Sequence, residues 1–215
     1  MQIGRAEIFT DEREVNECNI FRVLQNAYAT HTANSIQIEK LLNFEAGEQP
    51  LPREKKIRSE IDIHSVDNVA NEITEFNLGF KWGNPITIVQ RGEKDSGGAT
   101  ETDAISLLNE CYSAEGIKSK TQKLGRFVEI GGVGDTYVDI KTDYEDGDSY
   151  FSLEVLDPRW AFVVRSTRYI DRRIILGVTF SRSDDGINHF SCFTKDLRFE
   201  INNWLEEVNG KKVDK

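Results

Sequence analysis

Residues 161–201 read AFVVRSTRYIDRRIILGVTFSRSDDGINHFSCFTKDLRFEI, and this stretch decides the fold. It holds four short runs rich in β-branched and aromatic residues, which are Ala161–Ser166, Ile174–Phe180, His189–Phe193 and Leu197–Ile201. Such runs are typical of strands when polar turn residues separate them. Asp184-Asp185-Gly186 has the composition of a tight turn between the second and third runs. The stretch therefore predicts an antiparallel β meander.

Two further strands are predicted before the meander. Apolar and polar residues alternate over Tyr137–Ile140 and again over Tyr150–Leu156. Between them lies Glu145-Asp146-Gly147-Asp148, whose Asp-Gly pair is a strong hairpin signal. These two runs therefore predict a hairpin.

The chain before Gly131 shows helical spacing instead, with apolar residues three to five positions apart. The stripes are Ile20, Val23, Leu24 and Ala27; Ile36, Ile38, Leu41, Leu42 and Phe44; Ile57, Ile61, Val66, Val69, Ala70, Ile73 and Phe76; Ile105, Leu108, Cys111 and Tyr112; and Ile117, Thr121, Leu124, Phe127 and Val128. We expect the third helix to end near Leu78–Gly79. Gly83-Asn84-Pro85 then turns the chain into a short strand, Ile86–Val89. Gly131–Gly134 is expected to end the last helix.

Helices followed by a meander indicate the α+β class. The Ala46–Pro52 stretch contains two prolines and marks a break. We therefore expect an N-terminal helical arm at residues 1–50, an α+β domain at residues 51–205, and a charged tail at residues 206–215 that frays.

The overall charge argues against a protein that grips nucleic acid. Asp and Glu number 37 against 27 Lys and Arg, which gives a net charge of −10 and a pI near 4.9. Tight binding to nucleic acid requires clustered cations that neutralise phosphates. An acidic surface suits a conduit for DNA better than a clamp, although acidity also simply keeps proteins soluble.

Cysteine usage and the N-terminus predict where the protein is found. Cys18, Cys111 and Cys192 lie far apart, and no Cys-x-x-Cys or Cys/His cluster accompanies them. This pattern favours a reducing compartment without disulfides or a zinc site. The sequence shows neither a signal peptide nor an apolar run long enough to cross a bilayer. We therefore expect the cytoplasm, or an assembly made there, and no membrane partner.

The sequence offers no nucleophilic site. His31, His64 and His189 are the only histidines, and none accompanies a nucleophile elbow. The glycines at 131–134 follow a predicted helix and precede a strand, the reverse of a phosphate-binding order, so a helix cap explains them. We expect no enzyme activity and no cofactor.

Acidic residues form one cluster that could be mistaken for a metal site. Asp143, Glu145, Asp146 and Asp148 lie close together, as do Asp184 and Asp185. The first cluster lacks the later glutamate of a calcium loop, and a hairpin turn accounts for it better. No metal site is predicted.

Arginines are concentrated in one short region of this acidic chain. They are Arg159, Arg165, Arg168, Arg172 and Arg173. These side chains could pair with an acidic patch on a neighbouring subunit, or could protect an edge strand or turn by their charge. Direct contact with DNA is the weaker alternative. The five arginines are the candidate subunit-interface residues.

Three elements, in order, resemble the portal proteins of tailed bacteriophages. The first is the helix that leads into Gly79-Phe80-Lys81-Trp82-Gly83-Asn84-Pro85-Ile86-Thr87. The second runs from Asn109 to Val138, an asparagine-bearing helix and then a helix that meets a glycine and a strand. The third is Leu156-Asp157-Pro158-Arg159 before Phe162-Val163-Val164. Residues 1–34 lie outside the resemblance.

The resemblance implies a structural role. Portal subunits form a ring, usually of twelve copies, at one capsid vertex of the virion, and are assembled in the bacterial cytoplasm. The ring docks the packaging terminase, contacts capsid or scaffold and head-completion proteins, joins head to tail, and passes double-stranded DNA inward and outward without reading its sequence. Portal sequences continue through a stem and a clip, which would be missing here, so residues 51–205 would be a portal wing-like domain.

Two other functions remain open from the sequence. A head–tail adaptor or minor head protein would share the acidic α+β character. A metal-dependent nuclease would use the carboxylates of Asp143–Asp148, together with a second acidic cluster nearby.

Overall fold

The computed structural model describes residues 5–50, 67–89, 103–142, 149–202 and 206–212. In chain order the elements are β1 (Phe9–Thr10), α1 (Ile20–Glu45), α2 (Val69–Trp82), α3 (Asp103–Ala114), α4 (Ile117–Gly131), β2 (Asp135–Ile140), β3 (Phe151–Leu156), β4 (Ala161–Ser166), β5 (Ile174–Arg182), β6 (Asn188–Phe193), β7 (Leu197–Asn202) and β8 (Glu206–Lys212). The fold is α+β with helices first and strands after, as the sequence predicts.

The chain divides into two compact units. One combines Met1–Leu42 with Asp157–Lys215, and the other is Asn43–Leu156. We call them the sheet unit and the helical unit. This division differs from the one expected at residues 50 and 205, because α1 packs on strands near the other end of the chain.

The sheet unit is built on one mixed sheet with the strand order β1-β4-β5-β6-β7-β8. Strands β4 to β7 form the antiparallel meander expected from residues 161–201. The short β1 is parallel to β4, with Phe9 opposite Arg165. The expectation of a frayed tail is wrong for residues 206–212, because they form β8 and pair antiparallel with β7.

The core of the sheet unit lies between one face of this sheet and the N-terminal half of α1. The register places the inward residues of neighbouring strands opposite one another, as with Phe162 and Val178 or Phe190 and Ile201. The sheet contributes Phe162, Val164, Leu176, Val178, Phe190, Cys192, Phe199 and Ile201, and α1 contributes Ile20, Val23, Leu24 and Ala27. The first predicted helical stripe is therefore the core face of α1. The second stripe belongs to the same continuous helix.

In its described residues, the helical unit contains the predicted hairpin and the helices α2, α3 and α4. Strands β2 and β3 pair antiparallel from Asp135 opposite Leu156 to Ile140 opposite Phe151. Helix α4 ends at a left-handed Gly132, whose N–H donates to the Val128 carbonyl, so the predicted cap is confirmed. The turn expected at residues 145–148 lies outside the described residues.

Two boundaries in the helical unit differ from the sequence prediction. Helix α2 continues past Leu78–Gly79 to Trp82 before Gly83 caps it, and the first part of the predicted stripe, residues 51–66, lies outside the described residues. Residues 86–89, predicted as a strand, belong to no strand of the structure. The side-chain amide of Asn109 takes the place of a partner strand, because it accepts from the Ile88 N–H at 3.1 Å and donates to the Ile88 carbonyl at 3.0 Å.

Glu115, between α3 and α4, ties the helices to the hairpin. Its side chain is 8% exposed and accepts hydrogen bonds from Lys120 Nζ at 2.8 Å and Lys141 Nζ at 2.9 Å. It also accepts from the Leu153 N–H at 3.3 Å. These donors, Lys120 foremost, lower the pKa of Glu115 to about 2 against the opposing effect of burial.

We expect Glu115→Gln to lower the free energy of unfolding by about 2 kcal/mol at pH 7, since it leaves two lysines around an uncharged amide. The folded pKa lies below the unfolded one, so this stabilisation is present above the unfolded pKa and is lost as pH falls toward about 2. Urea denaturation of both proteins at a series of pH values measures the difference. Glu154→Gln is the control, because that carboxylate is 60% exposed and pairs with the same Lys120 at a longer distance, 3.4 Å. An equal effect in both variants at pH 7 would contradict the assignment.

Candidate subunit-interface surface

Arg159 is set apart from the other candidate arginines. It lies just before β4, whereas Arg165, Arg168, Arg172 and Arg173 lie at its far end and in the turn to β5. Six extended residues span about 20 Å. The five arginines therefore do not form one cluster in the structure, and their role at a subunit interface stays a prediction.

Arg159 is engaged within its own unit. Its Nε donates to Asp157 Oδ1 at 3.1 Å and its Nη2 donates to Oδ2 at 2.7 Å. These hydrogen bonds raise the pKa of Arg159. Its backbone carbonyl accepts from His31 Nε2 at 3.0 Å. The Asp-Pro-Arg sequence thus builds a neutralised pair that positions the start of β4.

Arg165 and Arg168 hold the N-terminal segment against the end of β4. The Arg165 backbone N–H donates to the Ile8 carbonyl at 2.9 Å, and its Nη1 donates to the Arg172 carbonyl at 3.3 Å. Arg168 Nε donates to the Asp11 carbonyl at 2.8 Å. Both side chains therefore shape the turn as well as giving it charge.

The tip of the turn carries stacked arginine and aromatic groups. The Arg173 guanidinium lies 4.2 Å from the ring centre of Tyr169, and that of Arg13 lies 5.8 Å from the same ring. Arg173 also pairs with Asp171 at 3.1 Å. Arg172 has a left-handed backbone, φ 45°, and its guanidinium lies 5.3 Å from the ring centre of Phe9. Stacking holds these cations in place while leaving them at the surface.

An apolar side chain stands among these charges. Ile170 is fully exposed, at 106% of its reference area, and Ile174 is half exposed. We call residues 168–174 the arginine turn. Tyrosine and arginine are among the residues that dominate binding energy at protein interfaces. Here they surround an exposed aliphatic side chain. Sequence reasoning found the arginines but missed Tyr169 and Ile170, because only the turn geometry shows that the isoleucine faces solvent.

A groove of about 470 Å³ borders the arginine turn within the sheet unit. Its lining includes Arg13, Tyr169, Arg173 and Ile174, together with Phe193 and Lys195. Glu14 and Asp196 also line it, so the groove carries both signs of charge. The turn and the groove together form one continuous polar and apolar surface that suits a protein segment.

Two of the three histidines, His31 and His189, lie in the part of the chain that the structure describes. His31 is buried, stacks on Phe162 with ring centres 4.5 Å apart, and has its pKa lowered by that burial. His189 is exposed, and its Nδ1 lies 2.7 Å from Asn202 Oδ1. His64 and the acidic cluster at residues 143–148 lie outside the described residues. Among the residues that are described, no group of three His, Cys, Asp or Glu side chains could hold a metal.

Cys18 is an exposed free thiol and Cys111 and Cys192 are buried free thiols, and burial raises the pKa of Cys192 to about 12. None of the helices in the described ranges has both the length and the apolarity needed to cross a membrane.

A scan against protein-family models and a search of curated proteins found no match for this chain.

Proposed function

We propose that this chain is a structural subunit of a tailed-bacteriophage portal ring. The ring would stand at one capsid vertex of the virion, serve as the conduit for DNA packaging and ejection, and connect head to tail. Its partners would be further copies of the chain, terminase, capsid or scaffold proteins and head-completion proteins. Duplex DNA would pass through the channel without sequence-specific binding, and no cofactor is needed.

The arginine turn is the observation that carries this proposal. A closed ring of identical subunits needs two different complementary faces on each copy. A cationic turn with a fully exposed isoleucine is well suited to be one of them. The chain's net charge of −10 means that acidic surface is plentiful for the opposite face.

The contact made by Asn109 gives further support. Asn109 belongs to the second of the three portal-like elements, and Ile88 directly follows the first. Its paired hydrogen bonds to the Ile88 backbone join the two elements. This contact supplies a physical reason for an asparagine at that position.

The test is assembly of the intact gene product, followed by negative-stain microscopy and sedimentation. We expect rings of about twelve subunits, and we expect Arg172→Glu to weaken ring formation at least tenfold by opposing an acidic partner surface. Arg182→Glu is the control, because it makes the same charge change on an exposed arginine of β5 outside the turn.

A strictly monomeric product at every salt concentration would refute the proposal. Rings that tolerate Arg172→Glu would leave the ring standing but remove the arginine turn from its interface. The neighbouring genes provide an independent check, since a large terminase gene is expected beside this one.

A further inference from the structure

Helix α2 carries an apolar face that is exposed within the described part of the helical unit. It consists of Val69, Ile73, Phe76 and Phe80, with exposed fractions of 47%, 57%, 73% and 81%. We call it the outer α2 face. The rings of Phe76 and Phe80 lie parallel to each other, 6.5 Å apart.

The outer α2 face is opposite the face that packs on α4. Successive residues of an α-helix are turned by about 100°, so the four outer side chains fall within about 60° of one another. Thr74 and Leu78, which are buried, project from the other side. The helix is thus apolar on two sides, and the described residues of its own unit cover only one.

Helix α2 is held firmly, so the outer α2 face is presented on a rigid element. Asn68 caps its first turn by accepting from the Asn71 N–H at 3.3 Å. Near its C-terminal end Lys81 pairs with Glu129 at 2.8 Å, and the Trp82 ring packs on Gly125 of α4. Ordering the helix therefore adds little to the cost of binding a partner.

The exposed apolar area of the outer α2 face is large enough for a small protein–protein interface. Two largely exposed phenylalanines and two half-exposed aliphatic residues present on the order of 400 Å², whereas single exposed apolar residues are ordinary. Two such faces packed together would remove roughly 1,000 Å² of total surface once their flanks are included, which reaches the lower limit of specific interfaces.

The spacing indicates that the partner is a helix. The outer residues follow one another at intervals of four, three and four positions, which is the spacing of the apolar seam in a coiled coil.

The outer α2 face is also complementary to a second copy of itself. When two copies run antiparallel with Ile73 opposite Phe76, Glu72 faces Gly79 and Asn77 faces Ala70, so no like charges meet and the glycine permits a close approach.

We propose that two copies of this chain associate through their outer α2 faces, packed antiparallel about a two-fold axis. This contact does not depend on the portal proposal. It joins two copies and no more, whereas a ring requires a head-to-tail contact between different surfaces.

The test is sedimentation velocity of the 215-residue chain from about 5 to 200 µM, a range that spans micromolar dissociation constants. We expect a monomer–dimer equilibrium and at least a roughly 30-fold weaker association for Phe76→Glu, the loss typical of a central interface residue. Ile140→Glu is the matched control, because this isoleucine of β2 is 81% exposed, close to the 73% of Phe76, but lies outside the outer α2 face. Circular dichroism checks that each variant is folded.

A mixture of variants tests the orientation. In the antiparallel arrangement position 76 of one copy faces position 73 of the other. Mixing Phe76→Glu with Ile73→Lys therefore sets the introduced carboxylate against the introduced ammonium group, so the mixture should dimerise although neither variant does alone. A monomeric wild type, a dimer that survives Phe76→Glu, or a mixture that stays monomeric would each overturn the inference.

Discussion

Replacing Phe190 with alanine should lower the free energy of unfolding of the sheet unit by about 4 kcal/mol. Phe190 is 1% exposed and lies at the centre of the core between α1 and the sheet. Its ring centre is 5.3 Å from those of Tyr28 and Phe180, so the substitution opens a cavity and removes two aromatic contacts. Urea denaturation followed by circular dichroism measures the change.

Phe80→Ala is the matched control for that loss. It deletes the same side chain from a residue that is 81% exposed, so at concentrations where the chain is monomeric we expect a change within about 0.5 kcal/mol. Comparable losses in the two variants would mean that the sheet unit is not organised around Phe190.

The second large effect is expected at Gly125 in α4. A Cβ atom at this position would lie 2.7 Å from Cγ and Cδ2 of Trp82, a distance that real Cβ contacts do not show. We expect Gly125→Val to lower the free energy of unfolding of the helical unit by about 3 kcal/mol, because α2 and α4 must separate or the indole must leave its place. Urea denaturation followed by circular dichroism measures the loss.

Gly79→Val tests whether the effect comes from crowding or from helix propensity. Gly79 lies inside α2, and nothing lies within 4 Å of a Cβ built on it. Valine there should change stability by no more than about 0.5 kcal/mol, since the two residues differ only modestly in helix propensity. If both valine variants were equally destabilised, packing of Trp82 on Gly125 would not be the cause.

The meander was predictable because every part of it is a local signal. Residues 161–201 supply β-branched runs and turns that need no distant partner to be recognised. Strand β1 was not predicted, because it consists of two residues whose only mark is their pairing with Arg165 and Ser166. Residues 86–89 have strand composition, but the amide of Asn109 satisfies the backbone of Ile88 instead. The composition of a segment sets its strand propensity, but the hydrogen-bonding partner of its backbone decides whether a strand forms.

The candidate surface shows the same limit. The sequence revealed an excess of arginine but not which arginines share a surface. Arg159 is close to the other four arginines in sequence, but the length of β4 separates it from them in the structure. Asp157, just before β4, neutralises its charge. Three residues of the outer α2 face were part of a predicted apolar stripe that ended at Phe76. The stripe by itself could not show that Ile73 and Phe76 are exposed while Leu78 is buried.

The order in which the sheet unit is assembled has a consequence for synthesis on the ribosome. Residues 8–12 bind the end of β4 through pairs such as Ser166 Oγ and the Glu12 carbonyl, 154 positions apart. Helix α1 therefore leaves the ribosome long before the strands that cover its apolar residues, while the helical unit lies complete between them in the sequence. The nascent chain must carry Ile20 and Leu24 uncovered until the last strands emerge. Chaperone binding during translation is consequently expected to concentrate on α1.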